Sequence, residues 1–144
     1  MIKITVINGV NLNMLGIREK GVYGTLDYKG LCEYIADKIK SYDVELRFFQ
    51  SNSEGEIVDC IHSCYFEGYD GVVINPGAHT HYSYAIFDAI KAIAPIPVVE
   101  VHISDIHSRE DFRKISVTAP ACVRQIAGMG YDGYIEAIKQ LIRN

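Results

Sequence analysis

No stretch of this 144-residue chain is long and apolar enough to cross a bilayer, which takes about 18–20 residues. Nor is there a surplus of basic side chains. Fourteen lysines and arginines against 18 aspartates and glutamates leave a formal charge of −4, so a broad cationic surface for nucleic acid or anionic lipid is not expected. Any positive site must be local. Cysteine is sparse: four residues, with no CxxC pair to suggest zinc or a redox couple. A chain of this length builds a sufficient core without disulfides, so all four read as free thiols, Cys60 and Cys64 standing four apart on an expected helix. Two glycine motifs are missing as well. Without GxGxxG or GxxxxGK[ST], the amide cradle for a dinucleotide or nucleotide phosphate has no basis, and Asn-Gly-Val-Asn-Leu-Asn is a poor flavin-phosphate loop.

What is present is an alternation of strands and helices. The sequence runs from its start into a strand pattern instead of a signal peptide, so a cytoplasmic location is expected. A hydrophobic fraction of 49% with mean hydropathy near zero fits one globular domain over residues 1–144. Short β-branched runs at Ile2–Asn8, Val44–Gln50, Gly71–Asn75, Val98–His102 and roughly 123–127 predict five strands. Between and after them, four sets of residues have helical spacing: Leu31, Ile35, Ile39; Ile57, Ile61, Cys64, Tyr65; Tyr82, Ile86, Ala89, Ile90, Ile93; and Ile135, Ile138, Ile142. Ser53 with Glu56 has the form of a capping box, and Pro95 and Pro97 close the third helix. The order predicts an α/β, flavodoxin-like fold: a five-stranded parallel sheet, order 2-1-3-4-5, with helices on both faces.

That topology places ligands outside the carboxyl ends of the strands, beside the switch point between strands 1 and 3. Asn8-Gly-Val-Asn11 follows strand 1, residues 75–81 (Asn-Pro-Gly-Ala-His-Thr-His) follow strand 3, and residues 100–104 (Glu-Val-His-Ile-Ser) close strand 4. Singly, Asn-Gly and Asn-Pro-Gly are ordinary turn formers. Together, three adjacent strands deliver Asn, His and Ser to one rim. The connection from Gly9 to about Leu26 is long for a compact domain and reads as a lid, hinged at Gly16, Gly21 and Gly24 and carrying Arg18 and Tyr23. Arg109 and Arg113, four apart, would share one face of a helix and make a local cationic patch for an anionic ligand. Salt bridges to Glu110 or Asp111 are the plainer explanation of that pair. Three function classes stay open on these residues: an enzyme acting on a small anion, a flavodoxin-like module that binds a small anion without turnover, and a metal-dependent hydrolase using His79, His81, His102 and His107. In the last case Glu100 serves equally well as an orienting partner of His102.

These residues also carry a resemblance. Residues 8–24 (Asn-Gly-Val-Asn-Leu-Asn-Met-Leu-Gly-Ile-Arg-Glu-Lys-Gly-Val-Tyr-Gly) resemble the opening signature of type II 3-dehydroquinate dehydratases. Residues 100–113 (Glu-Val-His-Ile-Ser-Asp-Ile-His-Ser-Arg-Glu-Asp-Phe-Arg) resemble a second signature, and the likeness extends to residues 50–54, 75–81 and 128–134. Val10 and Lys20 stand where the family usually has prolines, His79 replaces a common tyrosine, Asp105 an asparagine and Lys114 a histidine.

The resemblance implies a cofactor-free trans elimination of water from 3-dehydroquinate, giving 3-dehydroshikimate through an enolate, in the shikimate pathway or in quinate breakdown. It assigns Tyr23 as the base. A phenol of ordinary pKa is ionised to only about 0.1% at pH 7, so nearby cations are needed to favour the phenolate. By resemblance Arg18 and Arg109 are those cations. Asn11 would stabilise the enolate oxygen, and His102, oriented by Glu100, would protonate the departing hydroxyl. Asn75, His81, Arg113, and Ser104 with the backbone amides of Ile103 and Ser104 would bind the carboxylate and ring hydroxyls. The family assembles as dodecamers built from trimers, which implies that Asp88 reaches a neighbour's site. No metal is implied.

Overall fold

Parallel strands joined by helical crossovers must be covered on both faces, and Gly71–Asn75 and Val98–His102 are buried at every position. The computed structural model describes residues 1–17 and 26–143. Its strands are β1 (Ile2–Asn8), β2 (Val44–Gln50), β3 (Gly71–Asn75), β4 (Val98–His102) and β5 (Arg124–Ala127), and its helices α1 (Tyr28–Ile39), α2 (Glu54–Phe66), α3 (Tyr84–Ala92) and α4 (Asp132–Arg143). The sheet is parallel throughout, in the order β2-β1-β3-β4-β5, as the alternation predicts.

Side-chain alternation along the strands divides the core in two. Ile4, Val6, Val73 and Val101 meet Leu31 and Ile35 of α1 and Tyr134, Ile138 and Leu141 of α4. Ile7, Val72, Ile74 and Val98 meet Ile57, Ile61 and Cys64 of α2 and Ile86 and Ile90 of α3. This placement follows from crossover handedness: β1 to β2 runs one way along the sheet, β2 to β3 to β4 the other, so α1 falls on the face opposite α2 and α3.

Three sequence expectations change in detail. Tyr65 and Tyr82 have the spacing of a buried stripe but are both 58% exposed. The capping box is half made: Ser53 Oγ accepts from Glu56 N at 3.2 Å, while the Glu56 carboxylate takes the Ser51 hydroxyl and leaves Ser53 N to donate to Ser51 Oγ. The segment after β1 is not a free loop from Gly9 onward. It forms a 3-10 turn at Leu12–Met14 and buries Leu12 and Leu15 in the core. Gly16, at φ 78°, is a close-packing position, since a Cβ there would lie 3.1 Å from Leu26 O and Asp27 N. Gly21 and Gly24 lie outside the described residues.

The loops after β1 and β3 touch backbone to backbone. A Cβ on Gly9 would lie 2.4 Å from Pro76 O, and one on Gly77 would lie 2.5 Å from Val10 O. Gly77 also has φ 63°. Gly130, at φ 61°, has nothing within 4 Å of its Cβ direction, and so provides an internal control. In denaturant unfolding, Gly130→Ala should cost about 1–2 kcal/mol from the left-handed backbone alone, and Gly77→Ala distinctly more, because it adds a backbone clash. Equal losses would show that the two loops do not depend on their close approach.

Candidate active site

β1, β3 and β4 end at the same edge, and the loops leaving them enclose a cleft. It is lined by Asn11, Asn75, His81, His102, Ile103, Ser104, Arg109 and Arg113, with Val10, Leu12, Gly77, Ala78 and Ile106 completing the wall.

Strand geometry explains the central pair. Residues two apart on a strand share a face, so Glu100 and His102 lie side by side, with His102 Nε2 2.8 Å from Glu100 Oε2. Glu100 has no solvent exposure and His102 has 5%. A carboxylate accepts and does not donate, so Nε2 carries the proton and Nδ1 is the ring nitrogen that Glu100 does not engage. Burial pushes the Glu100 carboxyl up, but hydrogen bonds from His102, Thr118 and Gln125 outweigh it and hold the group below its ordinary value.

His81 has a fixed tautomer as well. Its Nδ1 is 2.8 Å from Ile115 O, and a carbonyl can only accept, so Nδ1 is the protonated nitrogen. Burial lowers this imidazole's affinity for a second proton, and His102 and Arg113 add to the effect. Neutral His81 therefore has Nε2 as an acceptor.

The arginine pair reaches the cleft by a different route from the expected one. The segment is not one helix: 3-10 turns at Ile106–Ser108 and Asp111–Arg113 flank Arg109, whose own backbone is extended. The two guanidinium groups nonetheless line the same cleft. Glu110 takes Arg113 Nε at 3.0 Å and lies 3.8 Å from Arg109 Nε, so the plainer explanation from sequence is also present. Lys114 pairs with Asp111 at 3.0 Å.

The family model for dehydroquinase class II matches residues 2–142. The chain belongs to that family. It is 62% identical over 139 residues to the 3-dehydroquinate dehydratase of Clostridium beijerinckii, covering 96% of this chain and 94% of that one. Among solved structures, the type II dehydroquinase from Butyrivibrio crossotus superposes with a TM-score of 0.96 at 55% identity, covering 98% of this chain and 97% of the other. That from Propionibacterium acnes gives 0.95 at 36% identity, covering 100% and 98%.

In this family member, the cleft collects Asn11, Asn75, His81, His102, Ile103, Ser104, Arg109 and Arg113, with Glu100 directly behind His102. Tyr23 and Arg18 lie outside the described residues. Asp88 is on the exposed side of α3 and does not line the cleft. The histidines of the metal alternative are scattered: His79 is buried edge-on against Tyr82 and His107 is exposed. Among the described residues, no three His, Cys, Asp or Glu side chains are grouped closely enough to hold a metal ion. All four cysteines are free.

Sequence reasoning missed the residues that hold the rim in place. Asn11 has a left-handed backbone, φ 69°, and its N–H donates to Asn52 Oδ1 at 2.8 Å. Gln50, at the end of β2, donates to the same oxygen and to Gly9 O. Gly128 N and Gly130 N donate to Ser104 O and Ile103 O at 3.1 and 3.0 Å, fixing the carbonyls of the two residues whose amides are candidates for anion binding. Asn75 is oriented from both ends: Oδ1 accepts from Gly77 N, and Nδ2 donates to Tyr134 OH at 2.9 Å. Tyr134, fully buried on α4, passes its own proton to Asn8 Oδ1 at 2.6 Å. The helical set read on α4, Ile135, Ile138 and Ile142, did not include it.

Tyr134→Phe would keep the ring and remove a hydroxyl that serves two buried partners. It should destabilise the fold by about 1–3 kcal/mol in denaturant unfolding. An unchanged midpoint would mean that Asn8 and Asn75 find other partners.

Proposed function

We propose that this chain is a type II 3-dehydroquinate dehydratase, a hydro-lyase acting as a single domain over residues 1–144. The observation that carries this reading is the cleft of a class II dehydroquinase in which a buried Glu100–His102 pair faces two arginines.

The reaction removes a proton alpha to a ketone, passes through an enolate, and expels the hydroxyl as water from the opposite face. Tyr23, ionised with the help of Arg18 and Arg109, takes the alpha proton. Asn11 donates to the enolate oxygen as it gains charge, a role in which one donor is typically worth about 2.7–4 kcal/mol. His102 gives the proton on its Nδ1 to the departing hydroxyl, while Glu100 holds Nε2 and stabilises the imidazolium. Arg113 and the amides of Ile103 and Ser104 bind the substrate carboxylate. Asn75, with an N–H remaining after its bond to Tyr134, donates to a ring hydroxyl, and neutral His81 accepts from one. No step calls for a cofactor, since one protein group takes the alpha proton from the substrate and another supplies the proton that leaves with the hydroxyl as water. The working assembly is a dodecamer of trimers in which Asp88 reaches a neighbour's cleft, and the enzyme serves the shikimate pathway or quinate breakdown in the cytoplasm.

Incubation with 3-dehydroquinate should produce the ultraviolet absorbance of a conjugated enone, and the activity should survive exhaustive dialysis against EDTA. Binding without enone would favour an anion-binding module. Activity lost to EDTA and restored by zinc would favour metal chemistry.

Tyr23→Phe keeps the ring and removes the base. It should abolish turnover and leave affinity for the product within about tenfold of wild type. Retention of a tenth of the activity would take the base role away from Tyr23.

A further inference from the structure

Glu100 is held by more than its catalytic neighbour. Its Oε2 accepts from Ser116 Oγ at 2.8 Å and from Gln125 Nε2 at 2.9 Å as well as from His102, and its Oε1 accepts from the Thr118 hydroxyl. An ionised carboxylate offers about four acceptor sites, and here four donors reach it, three at Oε2 and one at Oε1. Three of the four are neutral side chains from the connection into β5 and from β5 itself.

We propose that Gln125, Ser116 and Thr118 are positioning residues for His102 that act through Glu100, keeping its carboxylate an acceptor for His102 and setting how firmly the Glu100–His102 pair holds its proton. The arrangement is built into the fold. Sheet register places Gln125 beside Glu100 across the β4–β5 pair. Ser116 Oγ accepts from Ala119 N at 2.9 Å, which leaves its own proton for Glu100. With no solvent at Glu100, protein groups alone satisfy it. Protonating Glu100 would turn part of an acceptor surface into a donor and require partners that now donate to it to turn round, so the arrangement as it stands favours the carboxylate form, with the proton of the pair on His102.

The neutral donors also set a level. With the shared proton gone the pair is singly negative, and with it the pair is neutral. Donors aimed at the carboxylate favour the negative form, so losing one should raise the pH at which the pair gives up its proton, whichever member is assigned it. Among the described residues, the other titratable or charged groups around the pair are His81 after β3, Arg109 and Arg113 after β4, and Cys122 before β5, whose thiol burial and Glu100 together push up. None is altered by substituting the three donors.

The inference rests on the general-acid reading of His102, so its test needs a readout independent of turnover. In ligand-free protein with isotope-labelled histidine, NMR titration gives the midpoint of His102. Gln125→Met, at a half-buried position on an edge strand, should raise that midpoint by about one pH unit, and Thr118→Val should do the same. Thr118→Ser keeps the hydroxyl and should titrate like wild type. The pH limb of kcat should move with the NMR midpoint while KM at the optimum is little changed. A folded Gln125→Met whose His102 midpoint equals that of wild type would overturn the proposal, even if Thr118→Val, at a fully buried site, does not fold. Shifted midpoints in a protein that never forms enone would leave the positioning role standing and remove the dehydratase reading.

Discussion

A carboxylate fully removed from water is tolerated only if its charge is met by well-placed partners, because the effective desolvation penalty is several kcal/mol. Glu100 imposes that condition on the whole carboxyl-terminal edge of the sheet. Satisfying it requires His102 two residues on, Gln125 at one register of β5, and Ser116 and Thr118 on a connection that returns under the cleft. That same connection carries Ile115, whose carbonyl fixes the His81 tautomer. One buried charge thus ties the strand-4 rim, the turn after β3 and the last strand into a common arrangement.

Around this centre the cleft is made of backbone as much as of side chains. Gly9 and Gly77 let two loops pack directly on one another, and Gly128 and Gly130 grip the carbonyls of Ser104 and Ile103. At Gly9 and Gly77 the missing side chain serves closeness of approach, and at Gly77, Gly128 and Gly130 glycine also permits the left-handed backbone of the turn. Gly16, which sequence reasoning took for a hinge, belongs with them. A rim built this way keeps its amides and side chains in place before any ligand arrives, and such preorganisation is where donors to a developing charge gain most of their effect.

Much of this was legible in the sequence, for physical reasons that can be named. Four strands have the predicted bounds, because buried parallel strands are short β-branched runs ended by Gly, Pro or polar residues. The strand order followed from the alternation, and the switch-point rule pointed to the correct edge. The Glu100–His102 contact was readable because strand period alone brings residues two apart onto one face. What was not legible depends on distance along the chain. Nothing local tells that Tyr134 meets Asn75 59 residues away, or that Gln125 meets Glu100 25 residues away. The arginine pair was found by a spacing that implied a helix, while the chain delivers both side chains through two 3-10 turns. Tyr65 and Tyr82 fit a helical stripe in spacing but sit where no second layer covers them.

The backbone contact between Gly9 and Pro76, and between Gly77 and Val10, also bears on how such a cleft can diversify. Two loops that touch main chain to main chain cannot drift independently, since an insertion or a side chain in one has no room unless the other retreats with it. The strapped carbonyls of Ile103 and Ser104 are constrained in the same way by the Gly128 and Gly130 turns. Side-chain change is least constrained in the stretch of two 3-10 turns that gives Ile106, Arg109 and Arg113 to the cleft wall and carries His107, Glu110, Asp111 and Phe112 between them. Those last four side chains are solvent-facing and the backbone there is held largely by its own local turns.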